Sequence, residues 1–374
     1  MSENTIIPVD LARLDPAAVA FRLRPLGLLQ GAAAAAAVAR GIALPLAGSA
    51  IAFGFVELLA RHADDRILSS VAAIPELRAW AAAGGAARAT AVEERLAGLT
   101  ARRAPWAGFA FDRPLLMGIV NGTPDSFSGD GTADDPDAAV AQGRALIAAG
   151  ADILDIGGES TRPGATPVAP EEECRRIEPV IRALAAEGAV ISVDTRHAAT
   201  MAAMLACGAR IINDVSALAE PESRALIARR QAAAVLMHMQ GEPATMQQDP
   251  RYRLASLDIL EMLEERVALC EAAGISRAQL VIDPGIGFGK RREHNLEILA
   301  RLSLLHGLGC GVLLGLSRKS LIGGVSGAPL AARLPGSLAG ALHALGQGVQ
   351  ILRVHDVAET RQAMALARAI VAGA

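Results

Sequence analysis

Cysteine, lysine and aromatic residues are all scarce in this chain. Its four cysteines, Cys174, Cys207, Cys270 and Cys310, lie far apart with no C-x-x-C pair. That excludes a zinc ribbon or a disulfide scaffold and fits a reducing compartment. Aromatic side chains make up 3% of the sequence, too few for the stacking platforms that bind single-stranded nucleic acid. The net charge is −3 with no basic tail, so nucleic acid is not an expected partner. No apolar run reaches the roughly 20 residues of a membrane span. The uncharged stretch 41–56 is short, flanked by Arg40 and Glu57 and broken by Pro45 and Gly48, and reads as a buried strand or helix pair. The opening residues carry Glu3 and Asp10 without a basic cluster, unlike a signal peptide. A cytoplasmic protein without membrane contact is expected. Only Lys290 and Lys319 are lysines among 36 basic residues, which singles out both.

Hydrophobic residues supply 52% of the 374 positions and charged residues 20%, enough for a sizeable core. The chain has two textures. Residues 1–110 are Ala-rich, with an Ala run at 32–37 that reads as packed helix, and hold no catalytic constellation. They predict a small α/β or helical extension of unassigned role, joined through a linker at 99–106 that contains Arg102, Arg103 and Pro105. Residues 111–374 read as a separate domain with a regular rhythm. Short apolar runs at 115–120, 153–156, 190–193, 211–212, 234–237, 280–282, 312–314 and 351–354 alternate with helical patterns. Eight such units predict a (β/α)8 TIM barrel. A doubly wound sheet is the second choice, but 118–122 lacks the G-x-G-x-x-G of a phosphate loop.

In such a barrel the residues just after each strand gather on one face and build the site. Every predicted strand end here carries polar side chains. Asp194, Asn213, Asp283 and Lys319 offer two carboxylates, an amide and an ammonium, a set suited to a flat heterocycle with adjacent N–H donors and a ring carbonyl. Asn121, Arg162, Arg353 and His355, with Gly-rich loops, offer cations, backbone N–H groups and an oxygen ligand for Mg²⁺, the materials of a phosphate clamp. Together they point to a displacement in which pyrophosphate leaves a carbon on the ring. Taken singly, Asp194 or Asp283 could be a helix cap or part of an ion pair, and Asn213 could cap a helix. His238 reads as a core histidine bonded to backbone, and Glu159 as a brace for the loop after the second strand.

Eight motifs stand in one order along 113–371: NGTPDSFS at 121–128, GADILDIGGESTRPGA at 150–165, SVDT at 192–195, INDV at 212–215, MHMQG at 237–241, DPGIGFGK at 283–290, SRKS at 317–320 and RVHD at 353–356. This set resembles the dihydropteroate synthase family of the folate pathway. The resemblance implies a transferase that condenses 6-hydroxymethyl-7,8-dihydropterin pyrophosphate with p-aminobenzoate, giving 7,8-dihydropteroate and pyrophosphate, with Mg²⁺ as cofactor. It implies pterin binding by Asp194, Asn213, Asp283 and Lys319, with Met237 also at the substrate. Asn121 would ligate Mg²⁺ on the pyrophosphate, which Arg353 and His355 would grip. Asp125 of the first loop and Arg162 of the second join Lys319, Arg353 and His355 as candidate catalytic residues. Thr161, Pro163, Phe288 and Ser320 would shape the p-aminobenzoate pocket, the usual sulfonamide target. A homodimer is also implied.

One departure lies beside the metal ligand, where Gly122 replaces the family's usual Val and Gly129-Asp130-Gly131 reorders the loop's end. The rival functions are a pterin-binding methyltransferase barrel, a catalytically degenerate subunit, and a synthase for an arylamine other than p-aminobenzoate. The S-T-R-P-G and S-R-K-S segments favour the synthase over the methyltransferase.

Overall fold

A computed structural model describes residues 6–14, 21–62, 64, 66–121, 135–160 and 167–373. Strands β1 (Ile6–Pro8), β2 (Phe21–Leu29), β3 (Leu44–Pro45), β4 (Ala52–Arg61) and β5 (Ile67–Ala73) form one sheet in the order β1-β5-β4-β2, with β3 also on β4. β4 pairs antiparallel with β2 and β5. Helices α1 (Gly31–Ala39), α2 (Ile74–Ala83) and α3 (Ala86–Thr100) accompany it. The stretch 41–56 thus supplies strands, not helices. Phe53 and Val56 bury themselves with Leu77, Leu96 and Leu99 of the helices, so the extension is α/β.

The remaining strands are β6 (Leu115–Asn121), β7 (Ile153–Gly157), β8 (Ile191–Asp194), β9 (Ile211–Asp214), β10 (Ala233–Met237), β11 (Leu280–Asp283), β12 (Gly311–Leu314) and β13 (Ile351–Val354). All are parallel, and β13 pairs with β6 to close the barrel. Around them run α4 (Pro136–Ala148), α5 (Pro170–Ala186), α6 (Ala198–Ala206), α7 (Pro221–Arg230), α8 (Ala255–Ala272), α9 (Arg292–Ala300), α10 (Ser320–Ser326), α11 (Leu334–Gly346) and α12 (Val357–Ala372). This is the (β/α)8 barrel expected from the rhythm. Proline opens α4, α5 and α7, where its missing N–H costs no helical bond. Asp135 caps α4 by accepting from the N–H groups of Asp137 and Ala138.

Alternation along the strands sorts the side chains. Leu115, Met117, Ile153, Ile211, Val235, Val281, Leu313 and Ile351 fill the barrel interior, whereas Leu116, Leu154, Ile212, Leu236 and Ile282 pack outward under the helices. Because the period is two, the next inward residues toward the strand ends are Asp155, Asn213, Met237, Asp283 and Arg353. The layers formed by the first set are apolar, and the layer at the strand ends is polar apart from Met237.

The segment that read as a linker is packed. Trp106 is 1% exposed, sits in the interior cluster and donates from Nε1 to Gln279 O at 2.9 Å. Arg103 is buried and donates to the carbonyls of Gly98, Ala101 and His306. Arginine's fixed fork lets one side chain satisfy several helix-end carbonyls, and burial lowers this guanidinium to about 10. The seam extends along the sheet edge. Ser303 donates to Pro25 O at 3.1 Å, and Arg61 reaches Asp258 at 2.5 Å and Glu261 at 3.0 Å. A long edge strand, β2, is thereby covered.

Candidate active site

At the C-terminal ends of the strands, neighbours in register bring the polar layer together. Asn121 stands opposite Gly157, Gly157 opposite Asp194, and Asp194 opposite Asn213. Across the mouth Met237 stands opposite Asp283. Gly157 leaves room there: a Cβ on it would meet the Asp194 Cβ at 3.4 Å.

Arg353 links the two sides. Its Nε donates to Asp155 Oδ2 at 2.6 Å and its Nη2 to Asp194 Oδ2 at 2.9 Å. Asn213 Nδ2 donates to the same Asp155 oxygen at 3.0 Å. The guanidinium stays charged because the two carboxylates outweigh its burial. Asp155 is fully buried, and neither its Oδ1 nor Asp194 Oδ1 has a partner among the described residues. Two buried acceptors at one mouth are costly unless a donor arrives. Burial raises the Asp194 carboxyl to about 7 against the pull of Arg353, with Asp155, Glu173 and Asp214 adding to the rise. Burial also raises Asp283, against Lys319 and the Gly285 N–H.

Lys319 follows β12 on a turn in which Arg318 takes a positive φ of 57°, a conformation that non-glycine residues seldom adopt. Arg318 is pinned by an ion pair to Asp356, and its N–H donates to Ser337 Oγ at 2.9 Å. Thus the ends of β12 and β13 are clamped together around Lys319. The ammonium donates to Ile286 O and lies 4.8 Å over the Phe288 ring. Burial lowers it to about 8, partly offset by Asp283. A cavity of about 280 Å³ beside it is lined by Phe288, Lys319, Ser320, Gln247 and Asn295. His355 is held through Nδ1 by Ser317 Oγ at 3.0 Å.

The strand ends therefore gather Asn121, Asp194, Asn213, Met237, Asp283, Phe288, Lys319, Ser320, Arg353 and His355 at one end of the barrel. Asp125, Thr161, Arg162 and Pro163 lie outside the described residues, as does Gly122. Arg353, expected as part of an anion clamp, is also tied through Nε to Asp155 and through Nη2 to Asp194 of the heterocycle-binding half. Asp155 was absent from the candidate set. Its signal was the strand alternation, which puts it on the same side as Ile153 and Gly157. Glu159 does brace the second loop's exit, accepting from Val168 N at 3.2 Å and pairing with Arg196. Asp214 instead caps its own turn, accepting from Ser216 and Leu218.

Residues 117–355 match the family of pterin binding enzymes. The dihydropteroate synthase of Escherichia coli K12 is 46% identical over 257 residues, which covers 68% of this chain and 91% of that protein. The chain belongs to the dihydropteroate synthase family. As a member, it is a transferase. Solved synthases superpose well. That of Yersinia pestis with a sulfonamide drug complex gives a TM-score of 0.68 at 44% identity, covering 70% of this chain and 96% of that one. That of Xanthomonas albilineans with 4-aminobenzoic acid gives 0.66 at 47%, covering 71% and 96%. The family match begins at residue 117, so the N-terminal sheet lies outside it.

The dihydropteroate synthase resemblance implies Mg²⁺, and the donors present fit it. Among the described residues no three His, Cys, Asp or Glu side chains converge as a cage. The end of β6 instead offers the neutral amide oxygen of Asn121. Mg²⁺ commonly takes one or two protein oxygens, with substrate phosphates and water completing its shell. No described helix is long and apolar enough to cross a membrane.

Proposed function

We propose that the chain condenses 6-hydroxymethyl-7,8-dihydropterin pyrophosphate with p-aminobenzoate to give 7,8-dihydropteroate and pyrophosphate. The observation that carries this reading is the pair of buried carboxylate oxygens on Asp155 and Asp194, without a partner among the described residues, beside Asn213, Asp283 and Lys319. A pterin brings adjacent N–H donors and a ring carbonyl, the complement of that set.

The residues divide the work. Asp194, Asn213 and Asp283 hold the ring's donors, and the Lys319 ammonium donates to its acceptors. The dihydropterin ring releases electrons toward its exocyclic methylene, so the C–O bond breaks with its electron pair leaving on pyrophosphate. Buried carboxylates beneath the ring favour the positive charge that develops there. Arg353 and His355 stand at the last strand to meet the negative charge on the leaving group. Asn121 would hold Mg²⁺, which when bound would neutralise more of that charge. The arylamine nitrogen, neutral at pH 7, enters from the Phe288–Ser320 cavity and forms the C–N bond. It then releases its proton to solvent or to the departing pyrophosphate, so no general base is required before attack.

A homodimer in a reducing, cytoplasmic compartment belongs to the same proposal. Leu366 and Ile370 are each 64% exposed one turn apart on α12, an apolar face that a second copy would cover, and the four cysteines are free. Sedimentation velocity tests the dimer. Mass-spectrometric detection of dihydropteroate tests the reaction. Product that requires both substrates, disappears with EDTA and returns with Mg²⁺ supports the reading; pterin alcohol as sole product contradicts it.

A further inference from the structure

A buried lysine that the proposed mechanism does not use holds the loop after β11. Lys290 is 3% exposed. Its Nζ lies 2.8 Å from Gly285 O, 2.8 Å from Phe288 O, 3.2 Å from His238 O and 2.9 Å from His238 Nδ1. An ammonium has three N–H donors and no lone pair, whereas a neutral amine would turn its lone pair on an acceptor. Three carbonyl oxygens converging on one nitrogen therefore call for the ammonium. Burial pulls the group below the ordinary lysine range and Asp283 opposes that pull. His238 is kept neutral by burial and by Lys290 itself, so its Nδ1 accepts and shares one N–H with the longer contact to His238 O.

This nest joins two strand exits, because His238 follows β10 while Gly285 and Phe288 follow β11. The loops approach so closely that a Cβ on Gly285 would lie 2.0 Å from His238 O. Gly285 also has φ +64°, so only glycine fits on both counts. Between the two tied carbonyls sits Ile286, whose own carbonyl receives Lys319. At the second tied residue, the Phe288 ring lies under that ammonium. Asn295 completes the hold by accepting from Gly287 N at 2.8 Å. The Lys290 nitrogen is thus spent on loop backbone, and what it fixes is the position of two groups that line the candidate cavity.

We propose that Lys290 is a positioning residue, an internal cation that locks the β11 loop onto the β10 exit and thereby sets Phe288 and the Lys319 anchor for substrate binding. The inference rests on the synthase reading of the same site. The test is Lys290→Met, which keeps the chain length and removes every donor. The expected result is a KM for p-aminobenzoate raised about ten-fold with kcat held within about threefold. A residue needed only for folding would lower kcat through the active fraction at unchanged KM, and that result overturns the inference. The intact chain, assayed alongside, separates the two failures. Release of pyrophosphate by the intact chain with an unaltered KM in Lys290→Met sinks the inference alone, whereas no release by the intact chain sinks the synthase reading.

A second measurement needs neither activity nor that variant. With two lysines in the chain, ¹⁵N-lysine labelling gives two Nζ signals, and Lys319→Ala leaves one. A slowly exchanging ammonium signal in Lys319→Ala is expected from the nest. Rapid solvent exchange of that signal would overturn it.

Discussion

Fully buried Asp155 and partly buried Arg353 form an ion pair at the centre of the site, with Arg353 Nε 2.6 Å from Asp155 Oδ2. The same oxygen receives Asn213, so one carboxylate sets the positions of a cation and an amide on opposite sides of it. Asp155→Ala would leave the guanidinium with Asp194 alone. Breaking a fully buried pair costs roughly 3–5 kcal/mol; with Arg353 21% exposed, a fall in stability to urea at or below the lower end of that range is expected. Turnover of whatever remains folded should drop by about 100-fold, since losing a positioned charge stabiliser costs on that order. Stability and turnover both near the parent values would show that Arg353 is positioned by something else.

The pH profile follows from Asp194 and Lys319. Substrate binding needs the Asp194 carboxylate and the Lys319 ammonium, whose values are about 7 and about 8. A narrow bell in kcat/KM with limbs near those values is therefore expected. Asp155→Asn should move the acid limb to lower pH, because a like charge that raises Asp194 is gone.

Stability should respond in the opposite sense at the two groups. Between about 4, the ordinary carboxylate value, and about 7, native Asp194 keeps a proton that the unfolded chain has lost. Its contribution is whole below that window and fades as pH rises through it. Between about 8 and about 10, the ordinary lysine value, the unfolded chain keeps the Lys319 proton, so stability rises with pH there. Urea titrations of Asp194→Asn and Lys319→Met, compared with the parent across pH, check both slopes.

Trp106 makes a sharp test of the barrel's lower end. Trp106→Ala should cost about 3–5 kcal/mol, the usual loss for emptying a large core site. Its KM values should stay near those of the parent, because the plug sits below the apolar layers and the site above them. A loss under about 1 kcal/mol would mean that 99–106 behaves as the linker its composition suggests.

Gly98 reports on the seam between sheet and barrel by the sign of its effect. In a free helix, glycine to alanine stabilises by about 1 kcal/mol. Here a Cβ would stand 2.7 Å from Gly307 O, and such overpacking costs about 1–3 kcal/mol. Gly98→Ala should therefore lower the thermal midpoint; a raised midpoint would mean that α3 does not dock as described.

The barrel was legible because parallel strands buried on both faces read as short apolar runs, and eight of them recur between helical patterns. The N-terminal sheet was obscure for a physical reason. β2 alternates, but its polar positions are Arg22 and Arg24, whose heads reach Glu264 and Ala300 O on the barrel, and Pro25 and Gly27 interrupt the pattern. Trp106 looked like a linker residue because Arg102, Arg103 and Pro105 surround it; only the barrel's closure shows why an arginine there is buried. Within the site, residues at the very ends of strands were legible, since they follow the apolar runs. Asp155 stood at the second strand's end but was given no role, because its bonds to Arg353 and Asn213 join strands far apart in sequence. Lys290 was conspicuous by rarity, but its partners are carbonyl oxygens, which no sequence pattern displays.

The central claim is tested most directly by pyrophosphate release from the purified chain with Mg²⁺ and the dihydropterin pyrophosphate, with and without p-aminobenzoate, alongside Lys319→Ala. Release that depends on the amine and is lost in the variant is the predicted result. Tight pterin binding without amine-dependent release would contradict it and leave a pterin-binding barrel of another activity.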